Sequence, residues 1–205
     1  MFSDSAMSFC KKYLLLCFTL VLITSLIACS EKSPQFVAID ITGAKYGSDI
    51  ALTDQHGQAR KIKDFRGKVV VLFFGYTQCP DVCPTTMLEL AETKNLLGNK
   101  GKDLQVLFVS LDPLRDTPEI LKAYMLNFDP TFLALYAPPD RLDELAKGFK
   151  IYYKKIPGHL PNTYTMDHSA GSYVYDKKGQ LRLFTRYGMG ASKLAADISL
   201  LIDGS

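Results

Sequence analysis

The stretch from residue 69 to residue 84 constrains this chain most. Residues 69–74 are six consecutive apolar residues rich in Val and Phe, the pattern of a strand buried on both faces. The run Gly75-Tyr76-Thr77-Gln78-Cys79-Pro80-Asp81-Val82-Cys83-Pro84 follows at once, and a helical pattern runs over residues 85–97. Its apolar positions are Met87, Leu88, Leu90, Ala91, Leu96 and Leu97, and Gly98 is placed to end it. A buried strand turning into a helix is where α/β folds present chemistry, and here the turn carries two cysteines.

The rest of the chain alternates in the same way. Residues 36–42 and 50–53 read as short strands, with a turn at 54–58. A second buried strand at 104–111 ends in Asp112-Pro113. Asp116-Thr117-Pro118-Glu119 starts a helix, a capping residue before a proline in the first turn, that runs to about residue 128. Residues 132–136 form a third strand, 139–149 a helix and 151–154 a strand. Residues 155–165 hold Pro157, Gly158 and Pro161 and read as a loop. Strands at 172–175 and 180–185 flank the turn Asp176-Lys177-Lys178-Gly179, and residues 191–202 form a closing helix. This order predicts an α/β protein: a mixed sheet with helices on both faces.

The N-terminus reads as an address. Lys11 and Lys12 precede an apolar run at 13–27, which is 15 residues long, short of the roughly 20 that a membrane-spanning helix needs and suited to a secretory signal. The run ends in Leu26-Ile27-Ala28-Cys29, which resembles a bacterial lipoprotein cleavage box. Residues 1–28 are therefore expected to be a lipoprotein signal peptide, Met7 being an alternative start. Residues 29–35 form a tether lipidated at Cys29, and 36–205 are the folded domain. An uncleaved anchor helix is the alternative. Either way the domain sits in the bacterial cell envelope, outside the cytoplasm and held at a membrane.

Without residues 1–28, 22 basic and 20 acidic residues remain. That near-balance, with no long single-sign run, excludes the basic stripe of a nucleic-acid binder. It also leaves Cys79 and Cys83 as the only free thiols once Cys10 and Cys17 depart with the signal and Cys29 carries lipid. A bridge between them would close too small a loop to staple a fold, so the pair reads as chemical.

Pro84 disfavours helical backbone at Cys83, which predicts Cys83 as the helix N-cap with Cys79 in the loop before it. Both sulfurs would then be easily deprotonated by the helix dipole. Thiolates bind soft metals and attack electrophiles, and both chemistries stay open. Of the three histidines, His56 sits in a polar turn and His159 in a Pro/Gly-rich loop, both suited to the surface. His168, in Asp167-His168-Ser169 just before the strand at 172, is the candidate third donor, a structural role being the alternative. Two thiolates and an imidazole suit Cu(I) or Cu(II), and Zn(II) with an open position is also valid.

These residues resemble the Sco/SenC family of copper-binding, thioredoxin-like proteins. The resemblance is carried by residues 75–84, by Val109-Ser110-Leu111-Asp112-Pro113 with Arg115-Asp116-Thr117-Pro118, and by Asp167-His168-Ser169 ahead of a strand followed by Asp176 and Gly179. It spans about residues 36–202. It implies a thioredoxin-like fold with an N-terminal extension, and copper held by Cys79, Cys83 and His168. It also implies a role in supplying copper to, or reducing the thiols of, the binuclear copper site of cytochrome c oxidase. The partners implied are the copper-bearing subunit of that oxidase or another copper chaperone. Asp167 would orient the site from outside the ligand set, a surface carboxylate being an equal reading. Asp81 would shape the loop, since a hard carboxylate is a poor Cu(I) ligand. Tyr76 either shields the site or packs the core.

Two other functions use the same sulfurs. One is a thiol-disulfide oxidoreductase cycling Cys79 and Cys83, although redox members of the thioredoxin frame usually have two residues between the cysteines rather than three. The other is a peroxiredoxin-like peroxidase with one low-pKa cysteine. Neither requires His168; a three-donor copper site does.

Overall fold

The computed structural model describes residues 35–47 and 50–204. The signal segment 1–28, Cys29 and most of the tether lie outside the described residues. From the N-terminus come strands β1 (Ile39–Asp40), β2 (Leu52–Asp54) and β3 (Ala59–Arg60), then β4 (Val69–Gly75) and helix α1 (Val82–Leu96). Next are β5 (Leu104–Ser110), α2 (Pro118–Met125), β6 (Leu133–Tyr136) and α3 (Pro139–Gly148). The chain closes with β7 (Tyr153–Pro157), β8 (Tyr164–His168), β9 (Ser172–Tyr175), β10 (Leu181–Thr185) and α4 (Ala191–Ile202).

Eight strands form one mixed sheet in the order β1-β10-β9-β4-β5-β6-β2-β3. β4, β5 and β6 run parallel at its centre, and β9 joins β4 antiparallel. The uninterrupted apolar runs of β4 and β5 follow from this position, because every residue of both strands is buried. Alternate side chains serve opposite layers. Val69, Val71 and Phe73 pack with Met87 and Leu90 of α1, Leu121 of α2 and Ile198 of α4. Val70, Leu72 and Phe74 pack with Leu142 and Ala146 of α3 and with Phe65. Helices cover both faces, as the sequence predicts. Each such Val, Leu or Phe contributes about 1.5–3 kcal/mol by leaving water.

The local signals at α2 and at the β9–β10 turn act as read. The Thr117 side chain accepts the Ile120 N–H at 3.4 Å ahead of Pro118. Asp176 Oδ1 accepts the N–H groups of Lys178 and Gln180, both at 2.9 Å, and Gly179 takes φ +79°. α2 stops at Met125, three residues short of the expected end.

Two expectations are corrected. Residues 155–165 are not a loop throughout. β7 and β8 pair antiparallel from Tyr153↔His168 to Pro157↔Tyr164, as a two-stranded sheet apart from the main one. The turn residues Gly158 to Thr163 form only the tip, and Pro157 is tolerated because it ends an edge strand. The strand expected at 151–154 accordingly starts two residues later, after Lys150 at φ +54°. Second, Cys83 is not the cap. α1 begins at Val82 with Asp81 at the cap position, so Cys83 and Pro84 lie inside its first turn. The first helical N–H groups have no intrahelical acceptor, so Pro84 costs no hydrogen bond there. That outweighs its bias against helical backbone at the preceding residue.

Candidate metal centre

Cys79 is supplied by the turn between β4 and α1, Cys83 by the first turn of α1, and His168 by the last residue of β8. Their three donor atoms lie within 4.8 Å of one another. Cys83 Sγ is 3.5 Å from His168 Nε2, and the Cys83 N–H points at Cys79 Sγ at 3.4 Å. Cys83 is fully buried, while Cys79 and His168 are half-buried. An open groove of about 340 Å³ gives access, lined by Tyr76, Cys79, Val82, Met166, Asp167 and His168 among others.

The histidine is held from behind. His168 Nδ1 donates to the Ser169 carbonyl at 2.9 Å. Nε2 is therefore the nitrogen turned toward the sulfurs, able to offer its lone pair when the ring is neutral. Ser169 is itself fixed, its N–H on the Tyr152 carbonyl at 3.0 Å and its Oγ accepting the Tyr152 N–H at 3.1 Å. The ring packs edgewise against Tyr76 at 5.9 Å and Phe73 at 6.3 Å. Tyr76 is both core and shield, being 2% exposed and in contact with the ligand ring.

The two sulfurs are not alike, which corrects the expectation of two easily deprotonated thiols. A hydrogen bond from the Cys83 side chain, with the Asp81 and Cys83 backbone N–H groups, outweighs burial and brings the Cys79 thiol down to about 3. The same Cys79 contact and burial push the Cys83 thiol up. Without metal, the pair is one thiolate and one thiol donating to it. A cation removes that difference by taking the place of the shared proton.

The donor set fits a single soft ion. Metal–sulfur and metal–imidazole bonds of about 2.3 and 2.0 Å place donor pairs on one ion about 3.5–4.5 Å apart, so donors already within 4.8 Å need to close by about 1 Å at most. Asp167 stays at the groove, exposed, one residue from His168 on β8, and the ring's hydrogen bond goes to Ser169 rather than to it. Asp81 occupies the cap position of α1 without a capping bond from its side chain, which instead accepts the Thr85 hydroxyl at 3.4 Å. His56 and His159 are exposed and away from the site.

The sequence reading missed several supporting residues. A Cβ on Gly75 would lie 2.8 Å from Cys83 Sγ, so only glycine leaves room for that sulfur. Asp116 is buried and accepts the Thr77 N–H at 3.2 Å, the Thr77 hydroxyl at 2.6 Å and the Ser110 hydroxyl at 2.6 Å, tying the start of the cysteine loop to the end of β5. Arg115 spans the gap between the cysteine loop and β8. Its position after Asp-Pro was visible in the sequence, but its partners were not.

A mixed sheet with two cysteines on its first buried strand-to-helix turn, and a histidine facing them from a separate hairpin, defines a thioredoxin-like protein with a soft three-donor site. The SCO1/SenC family profile matches residues 40–203, and the chain belongs to that family. A SCO2-like protein of Rickettsia typhi is 35% identical over 137 residues, 66% of this chain and 68% of that one. The structure of Bradyrhizobium japonicum ScoI with copper bound is 36% identical at a TM-score of 0.70, over 77% of this chain and 99% of that one. A SCO1/SenC family lipoprotein from Bacillus anthracis shares the fold at 23% identity and a TM-score of 0.64, over 77% of this chain and 97% of that one. Among the described residues, no helix is long and apolar enough to cross a membrane.

Proposed function

We propose that this protein binds one copper ion through Cys79, Cys83 and His168 and assists assembly of the binuclear copper site of cytochrome c oxidase. The observation that carries it is the convergence of two sulfurs and one imidazole nitrogen within 4.8 Å, in a family with a copper-bound relative. Thiolates suit Cu(I) and the imidazole also suits Cu(II), so the site serves either state. Cys79, half-exposed at the groove, is the sulfur a partner's thiolate reaches first, and Cys83 and His168 keep hold from the buried side. Asp167 adds a negative charge at the mouth. The partner is the copper-bearing oxidase subunit or another copper chaperone.

The domain spans residues 36–205, and a lipid on Cys29 holds it to a membrane of the cell envelope through the 29–35 tether. The sequence of the signal supports this reading.

Titration of the reduced, anaerobic protein with Cu(I) against a chromogenic chelator tests the site. One copper per chain, weakened at least about tenfold by His168→Ala, is expected. Binding that ignores His168 would overturn it. The low thiol pKa of Cys79 favours a second reading, thiol-disulfide exchange. The Cys79 thiolate attacks a partner disulfide and Cys83 then displaces the partner, which leaves reduced by two electrons, with the Cys83 proton and one proton from water, while a Cys79–Cys83 disulfide forms.

A further inference from the structure

The two halves of the site sit on separate sheets. The cysteines follow β4 of the eight-stranded sheet, whereas His168 belongs to the β7–β8 pair, which shares no strand ladder with it. An isolated two-stranded hairpin is marginal by itself, so side chains must set the distance from His168 to the sulfurs. Met166 is the apolar tie, 9% exposed in the core beneath β8. Two polar ties join it: the Met166 backbone bonds the Tyr76 side chain, and Arg115 reaches further.

Arg115 touches all three pieces at once. Its Nε donates to Asp112 Oδ2, at the end of β5. Its Nη1 donates to Gln78 Oε1 at 3.1 Å, next to Cys79, and to the Tyr164 carbonyl at 2.9 Å, on β8. The guanidinium stacks 3.5 Å over the Tyr164 ring, and the Tyr164 hydroxyl donates to Asp112 Oδ1 at 2.8 Å. Along β8, Tyr164, Met166 and His168 share one face by strand alternation. Whatever fixes Tyr164 therefore fixes the edge from which His168 projects.

We propose that Arg115 is a positioning residue for the metal site, latching the hairpin that carries His168 onto the loop that carries Cys79. The planar fork is what lets one cation bridge Asp112, Gln78 and the Tyr164 carbonyl while stacking on a ring. The inference rests on the copper reading above and adds a division of labour. With the latch open, the two sulfurs still suffice for Cu(I), but Cu(II) loses the imidazole it prefers.

The test has a metal-free and a metal-bound arm. In the metal-free protein, Arg115→Ala is expected to speed amide exchange across β7 and β8 about tenfold or more, as loss of charge-assisted hydrogen bonds implies, with β4 and β5 unchanged. With Cu(II), its absorption spectrum is expected to move toward that of His168→Ala, and the Arg115→Ala/His168→Ala double variant to lose nothing further. Arg115→Lys, which keeps the charge without the fork, is expected to shift both readouts in the same direction and replaces the alanine variant if that fails to fold. Unchanged hairpin exchange would overturn the latch. Faster exchange with a wild-type Cu(II) spectrum, or losses that add in the double variant, would overturn the positioning role. A wild-type protein that takes up no copper would instead sink the copper reading, and the latch would then be decided by exchange alone.

Discussion

Gly75 lies directly against Cys83: a Cβ built on the glycine would come to 2.8 Å from the cysteine sulfur and 2.9 Å from the Phe108 ring. Phe108 sits in the centre of β5 and cannot yield, so the sulfur must. Gly75→Ala is expected to destabilise the fold by about 1–3 kcal/mol through overpacking and to weaken metal binding by about 10–100-fold through the displaced ligand. Thermal unfolding and copper titration read the two effects separately. Unchanged affinity in the alanine variant would show that the sulfur has room the geometry denies it.

The unequal sulfurs predict selective labelling. In the reduced, metal-free protein, Cys79 is a thiolate down to about pH 3, whereas Cys83 is buried and held protonated. Iodoacetamide is expected to modify Cys79 alone, at a rate nearly flat between pH 5 and 8. An ordinary thiol would accelerate roughly 10²–10³-fold over that range. Mass spectrometry of the adduct identifies the residue. A rate climbing with pH like that of a free thiol would refute the assignment.

Asp54 and Asp116 are both buried carboxylates, and they are expected to pull stability in opposite directions with pH. Burial of Asp54 is outweighed by the Gln58 N–H, the Arg60 side chain and the His56 N–H, which leave its pKa below the ordinary 3.8. Its stabilisation is present above 3.8 and lost as pH falls through the lower folded value. Burial of Asp116 prevails over its bonds from Ser110 and Thr77 and holds its pKa above 3.8. Its favourable contribution is present below 3.8 and lost as pH rises through the higher folded value. Urea unfolding across this range should show the gap between wild type and Asp54→Asn shrinking in acid. Wild type should meanwhile gain on Asp116→Asn as the pH drops. Parallel trends for the two variants would contradict the assignment.

Tyr124 offers a stabilising change. Its hydroxyl is buried without a hydrogen-bond partner, while its ring packs 5.5 Å from Phe108 and 5.0 Å from Phe128. Tyr124→Phe keeps the packing and removes the orphan, so a gain of about 1 kcal/mol is expected. A lower melting temperature would reveal a partner for the hydroxyl, such as a bound water.

The legible parts of this fold are those where one local signal has one outcome. The apolar runs of β4 and β5 can only be central strands, and Thr117-Pro118 can only start a helix. Cys79, Cys83 and His168 were legible as a set because soft donors are few here, and the family resemblance joined them. What stayed hidden depends on partners distant in sequence. Lys155 and Ile156 look like loop residues until Met166 and Thr165 pair with them across the hairpin. Gly75 gives no sign of touching a sulfur, and Arg115 none of reaching Tyr164, 49 residues on. The difference between the two thiols arises from their contact with each other, which spacing alone does not contain.

Cys83 and His168 are 85 residues apart in the chain. An unfolded chain offers a metal the two neighbouring sulfurs but not the imidazole, which arrives only when the hairpin docks. An ion held by all three donors is therefore a reversible cross-link closing a long loop. It favours the docked state by the loop entropy it removes from the open one and by its own preference for the native chain. Loading would stiffen the protein and release would loosen it, so its resistance to proteases at the hairpin would report whether it carries cargo.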